Sequence, residues 1–282
     1  MSWFEPILAW GMIYLYAICS ILLLTALVFE KERLFAPARY LLAPAFAAHT
    51  AIFLLRWMRT GYFPANGEFE NAVSGGWFAI LMTMVVLYRK KALAGLAGMA
   101  LVTVPVTLLF LGYGIMKNPS ALPHAASLKS SWLVIHVLFA QVAFGAYLVA
   151  SGFGVVYLLK DGQSRKGTVS PLYDKLPRLP VIEELMFKFV IYGFIADAIM
   201  IGAGSIWAKD LWGSYWTWDP VEVWSLASWL LYGVSIHLKV QLGWRGRRLA
   251  WLYAFAILGI IIAYWGVDFF VKNSQHIFGV RP

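Results

Sequence analysis

The chain has 282 residues, of which 61% are hydrophobic and 13% charged, and its mean hydropathy is +0.71. That balance excludes a soluble globular domain and describes an integral membrane protein. The net charge of +9 is carried by short connections between apolar runs, so it speaks for membrane topology and against nucleic acid as a partner. Apolar runs of the length a bilayer requires fall near 4–29, 40–58, 72–88, 92–115, 131–159, 184–205, 221–241 and 249–270. The expected fold is all-α: a polytopic membrane protein of about eight transmembrane helices in a single domain, 1–282.

The first run is too long for a signal-peptide core. It is followed by Glu30, Lys31, Glu32 and Arg33 without a small-residue cleavage site, so it is expected to stay as a helix. It carries the chain's single cysteine, Cys19, which reads as a small core residue; without a CxxC pair the chain is not a thiol oxidoreductase. The second run holds His49, about 13 Å in from Tyr40 at 1.5 Å per residue. The fifth begins just before His136 and contains Gly145, Gly152 and Gly154, small residues suited to close helix packing. Residues 160–180, rich in Lys, Arg, Pro and Gly, read as a loop with no domain of its own. No Walker or dinucleotide pattern is present.

Lys and Arg resist translocation and mark cytoplasmic connections. They concentrate at Lys31, Arg33 and Arg39; Arg89, Lys90 and Lys91; Lys160, Arg165, Lys166, Lys175, Arg178 and Lys188; and Lys239, Arg245, Arg247 and Arg248. The alternate connections hold only Arg56, Arg59, Lys117, Lys129, Lys209, Lys272 and Arg281. Both termini are therefore expected outside. The segment between the sixth and seventh runs is expected outside as well.

That segment, WAKDLWGSYWTWDPVEVWSLASW, has six tryptophans and Tyr215 within 23 residues. An interfacial aromatic belt explains part of it. It does not explain Gly213 among the aromatics, or the Asp219-Pro220 step that opens the next helix. Indole and phenol faces on a glycine-bent backbone make a shelf for a large planar apolar ligand, porphyrin above all. Asp219 reads as an N-cap, with Glu222 in the capping-box position. His136 and His276 share the depth of this segment and are the expected axial ligands of an external haem iron. His49 and His237 fall at a common depth in the inner half and form a less certain pair for a membrane haem. His124 has no partner at its depth. Arg56, Arg59 and Lys209 are the bases available to haem propionates near Glu70 or Asp197, Arg pairing bidentately with carboxylate.

The tryptophan-rich stretch 206–222 is similar to the WWD segment of the haem-handling family that includes CcsA/ResC, CcmC and CcmF, and within it the chain looks most like the CcsA type. RWMRTGYFPANGEFEN at 56–71, SSWLVIHV at 130–137 and WSLASWLLYGVSIHLK around His237 each resemble further CcsA segments, and the tail around His276 corresponds in place to a second external ligand. The likeness covers nearly the whole chain. Val221 stands where many relatives carry Lys, and the tail reads SQHIFG where Leu-His-Ser-Tyr is common.

The resemblance implies a System II cytochrome c synthase subunit. Such a subunit takes haem b, non-covalent iron-protoporphyrin IX, across a bacterial inner or thylakoid membrane and presents it to the CxxCH of apocytochrome c. It implies a CcsB/ResB-type membrane partner, an external thiol-reducing system and membrane lipids around the helices. His136 and His276 are then the iron ligands, and Trp207, Trp212, Tyr215, Trp216, Trp218 and Asp219 surround the porphyrin. The alternatives are a HemX-like assembly or regulatory protein and a CcmC-like haem-delivery protein without synthase activity. A secondary transporter is disfavoured by the absence of an inverted repeat.

Overall fold

The computed structural model describes residues 4–64, 67–89, 93–117, 130–167 and 171–263. Every regular element among them is helical: α1 (Phe4–Val28), a 3₁₀ turn (Glu32–Leu34), α2 (Phe35–Thr60), α3 (Glu68–Arg89), α4 (Leu93–Lys117), α5 (Ser131–Arg165), α6 (Pro171–Asp174), α7 (Leu179–Trp212), α8 (Pro220–Val240) and α9 (Arg247–Ile261). Six of these stretches are long and apolar enough to cross a membrane: 5–28, 32–60, 68–88, 98–116, 131–165 and 179–212. The expected runs at 221–241 and 249–270 correspond to α8 and to α9, whose described part is 15 residues long.

α5 is the axle of the bundle. It packs against α3 and α4 on one flank and against α7 and α9 on the other; α1 and α2 close the first flank and α8 closes the second. Lipid tails are as apolar as leucine, so helices in a bilayer associate by close packing of small residues. The glycines expected to serve that purpose do so, each at a different interface. A Cβ on Gly145 would stand 3.2 Å from the Ala79 backbone of α3, one on Gly152 would stand 2.8 Å from the Met99 carbonyl oxygen of α4, and one on Gly154 would stand 2.9 Å from the Ala250 carbonyl oxygen of α9. On α7, Gly193 admits the ring of Tyr147, which a Cβ would meet at 2.6 Å. The Tyr147 ring stacks on Tyr232 of α8 at 3.6 Å between centroids, and its hydroxyl donates to Asp197 Oδ2 at 3.4 Å. A buried carboxyl group thereby joins α5 and α7 at mid-helix.

Local signals set the ends. Ser130 caps α5, its hydroxyl accepting from Trp132 N at 3.2 Å. α2 and α7 stop at Gly61 and Gly213, both left-handed, with φ of 73° and 82°. Two expectations are corrected. The region 160–180 is not a plain loop, because α5 runs on to Arg165 and α6 buries Leu172 and Tyr173. α7 likewise continues through Trp212, since nothing in AKDLW stops a helix before Gly213. The Lys/Arg-rich end is tied by Lys239 to Glu183 at 2.9 Å and by Lys175 to Glu32 at 2.6 Å.

A Gly154→Val substitution is expected to lower stability by about 1–3 kcal/mol, because the α9 backbone cannot retreat without opening the interface. Gly202→Ala on α7, where a Cβ meets nothing within 4 Å, should be neutral or stabilising by up to about 1 kcal/mol. Thermal unfolding of the two variants in one detergent checks the contrast.

Candidate functional site

The candidate site lies where the start of α5 packs on the last turns of α7, and along the turn that leads from α7 into the first turn of α8. His136 lies on the second turn of α5, half-buried, with Nδ1 2.9 Å from the Met200 carbonyl oxygen of α7. A carbonyl only accepts, so Nδ1 carries the proton and Nε2 is the lone-pair nitrogen of the neutral ring. This is the arrangement of a metal-ligating histidine, whose second nitrogen is oriented by a backbone carbonyl. Gly204 makes it possible: a Cβ there would stand 2.5 Å from Nδ1 and 2.8 Å from Cε1. Behind the imidazole lies Trp207, 2% exposed, its ring 6.4 Å from that of His136 and inclined by 27°. Trp212 meets Trp207 edge-on at 5.7 Å.

Beyond Gly213 the chain turns back towards α8. Lys209 donates to the Gly213 carbonyl at 2.8 Å and stands over the Tyr215 ring at 5.6 Å, a basic group answering the end of a helix. Trp216 and Trp218 meet edge to face at 5.9 Å. Trp218 has φ of 61°, a left-handed backbone that costs an indole-bearing residue about 1–2 kcal/mol. A network around Glu222 maintains it. Asp219 N donates to Glu222 Oε2 at 3.1 Å, Thr217 N donates to the same oxygen at 2.8 Å, and Val221 N donates to Asp219 Oδ1 at 3.0 Å. Asp219 and Glu222 therefore close the capping box of α8. The strained turn projects two aromatic side chains outward, Trp218 at 71% and Tyr215 at 58% exposure. Trp216 Nε1 is buried with no hydrogen-bond partner among the described residues, an N–H donor without the acceptor such a group requires.

Of the expected external site, the structure thus gathers His136, Trp207 and Trp212 into one cluster, with Tyr215, Trp216, Trp218 and Asp219 on the turn that follows. His276 and His124 lie outside the described residues. Trp207 is a buried backing for His136, not an open ligand face. His49 and His237 are not brought together. His49 is buried on α2, with Nε2 donating to the Val73 carbonyl at 2.8 Å and Nδ1 3.1 Å from the Tyr16 hydroxyl. Both nitrogens are engaged inside the first flank. His237 is exposed near the end of α8, across α5. Arg56 is no open propionate clamp either: it is 2% exposed, with Nε 2.5 Å from Glu5 and Nη1 3.6 Å from Glu70, while Arg59 binds Glu5 at 2.9 Å. Sequence reasoning missed Met200, Gly204 and Thr217. The small-residue run IGAGS was the available signal for Gly204.

With this geometry in hand, comparison with known proteins is direct. Residues 9–273 match the family described as Cytochrome C assembly protein. The Cytochrome c biogenesis protein CcsA of Synechococcus sp. (strain CC9311) is 30% identical, over 94% of this chain and 95% of that protein. The protein of the same name from Guillardia theta is 28% identical, over 82% of this chain and 81% of that protein. Among solved structures, Cytochrome c Heme Lyase CcmF superposes with a TM-score of 0.69 at 17% identity, covering 92% of this chain. This chain spans 46% of that larger protein, and the likeness is one of fold.

The cap at α8 gives a test of what Asp219 does. Asp219→Asn should keep the turn protected from protease, because an amide oxygen accepts the same bond. Asp219→Ala should cost about 1 kcal/mol and expose the 213–219 backbone to cleavage. Equal cleavage of the two variants would refute the capping role.

Proposed function

The chain belongs to the cytochrome C assembly protein family, and from that premise we propose that it serves cytochrome c biogenesis as the haem-presenting subunit of a synthase. The observation that carries this reading is the His136 imidazole, oriented by the Met200 carbonyl so that Nε2 bears the lone pair of the neutral ring. The turn that follows its neighbours Trp207 and Trp212 carries two outward aromatic faces, Tyr215 and Trp218, and the Trp216 donor that has no partner among the described residues. These residues suit a flat apolar macrocycle with a carboxylate edge.

In this reading His136 Nε2 would hold the iron of haem b, with Trp207 keeping the imidazole in place. Tyr215 and Trp218 would offer aromatic surface to the macrocycle, Trp216 Nε1 would be a donor for a propionate, and Lys209 would add positive charge. The chemistry at bound haem is addition of the CxxCH thiols of apocytochrome c across its two vinyl groups, sulfur to one carbon and proton to its neighbour. The chain's own task is to hold, orient and release. The neutral Met200 carbonyl behind Nδ1, where a carboxylate would make the imidazole a stronger donor, would leave His136 a moderate ligand, as suits a group that must release what it holds. His276 is the proposed second axial ligand. For the inner half of the membrane, His237 is the proposed ligand and His49 the structural partner of Tyr16 and Val73. The Lys/Arg bias supports placing the tryptophan-rich end and both termini outside, in a bacterial inner or thylakoid membrane. A CcsB/ResB-type protein and an external thiol-reducing system are the proposed partners.

The test is an absorption spectrum with a pyridine haemochrome assay on the detergent-purified protein. The wild type should retain non-covalent b-type haem. His136→Gly should lose most of it and recover part with added imidazole, and cytochrome c maturation should follow the same pattern. Gly204→Ala, which pushes the ring away from Met200, should weaken retention about tenfold with the fold intact. Haem absent from every preparation, or unchanged in His136→Gly, would overturn the assignment and favour a HemX-like regulatory scaffold.

A further inference from the structure

At the Lys/Arg-rich end of the bundle, far from the tryptophan segment, a cavity of about 190 Å³ opens between α1, α2, α3 and α4. Its walls are apolar, formed by Leu23, Leu42, Leu87 and Val104, with Cys19 beside them. Two ionic side chains reach it, and they are not equivalent. Glu32 is already neutralised by Lys175, with contacts of 2.6 and 2.8 Å. Arg39 is not: no carboxylate among the described residues pairs with it, and its Nε is buried without a hydrogen-bond partner. The guanidinium stands over the Tyr88 ring, 4.5 Å from its centroid, and Tyr88 Oη donates to the Arg39 carbonyl at 3.3 Å. These contacts fix the cation in place and leave its edge with unused donors. Tyr40, which also lines the cavity, is 74% exposed, and Tyr88 is 45% exposed; tyrosines exposed in this way are what a membrane-water interface selects.

An apolar slot with one fixed, unneutralised arginine at its mouth calls for a ligand with an apolar body and a single anionic group. We propose that this cavity is a binding site for an anionic phospholipid, one acyl chain lying along Leu23, Leu42 and Val104 and the phosphate on Arg39. Haem fits the site less well. The Cys19 thiol donates to the Ala38 carbonyl at 3.3 Å, the lining offers no imidazole or thioether to iron, and two propionates would meet one cation. Basic pockets between helices on the inner side of a membrane are the usual seats of anionic headgroups. The inference stands apart from the haem reading, because it shares no residue with the tryptophan-rich end.

The experiment is native mass spectrometry of the full-length delipidated protein titrated with phosphatidylglycerol, phosphatidylcholine, glycerol phosphate or haemin. The expected result is one phosphatidylglycerol held about tenfold more tightly than phosphatidylcholine, as a charge-assisted Arg-phosphate contact implies. Arg39→Gln should abolish that preference, Arg39→Lys should keep most of it, and Arg33→Gln, an exposed control on the 3₁₀ turn, should leave it unchanged. The proposal is overturned if wild type shows no preference between the two lipids, if Arg39→Gln retains it, if glycerol phosphate competes as well as the lipid, or if haemin displaces phosphatidylglycerol one for one. The wild-type comparison stands even if Arg39→Gln does not fold.

Discussion

The structure depends on how closely helices can approach α5. In a membrane there is no hydrophobic gain from bringing one apolar helix to another, so the bundle is held by van der Waals contact and by polar groups that meet across interfaces. Three glycines on α5 each face a different neighbour: Gly145 meets α3, Gly152 meets α4 and Gly154 meets α9. The α7 interface works in reverse, with the glycines on α7 and the rings on α5. Gly193 receives Tyr147 and Gly204 receives His136. The device that packs the bundle is therefore also the device that positions the His136 imidazole. At mid-bundle it seats a tyrosine against a buried acid; near the end it seats a histidine against a carbonyl.

Electrostatics are divided along the helix axes in a way that follows from desolvation cost. Two buried cations of the bundle are matched by carboxylates: Arg56 lies between Glu5 and Glu70, and Lys239 meets Glu183. An unmatched charge in such surroundings would be expensive. The pairing at Arg56 commits to Glu5 and Glu70 a guanidinium at the same end as the tryptophan segment. Arg39 is the exception. It stands over an aromatic ring yet meets no counter-charge among the described residues.

The tryptophan turn shows how a strained backbone is maintained. Trp218 sits in a conformation that suits glycine, and the Glu222 carboxylate collects the backbone N–H groups of Thr217 and Asp219 on either side of it. The capping box is thus more than a helix start. It offsets the cost of turning two large aromatic faces away from the protein, and so couples the stability of α8 to the shape of the shelf.

Membrane character, helix positions, the tryptophan segment and the α8 cap were all legible in the sequence, because bilayer thickness, turn chemistry and capping act over a few residues. The place of His136 on the second turn of α5 was legible for the same reason. Depth along a helix is a one-dimensional property, and the sequence determined it. Which residues face each other across helices is not, and only the tertiary structure decided it. Equal depth suggested that His49 and His237 form a pair, but α5 separates them and Tyr16 and Val73 occupy the nitrogens of His49. Trp207 turned out to support the imidazole, Arg56 to be committed to two glutamates, and Gly204 to hold the clearance on which the site rests. Each of these outcomes depends on lateral contacts between segments distant in the chain, which no local pattern encodes.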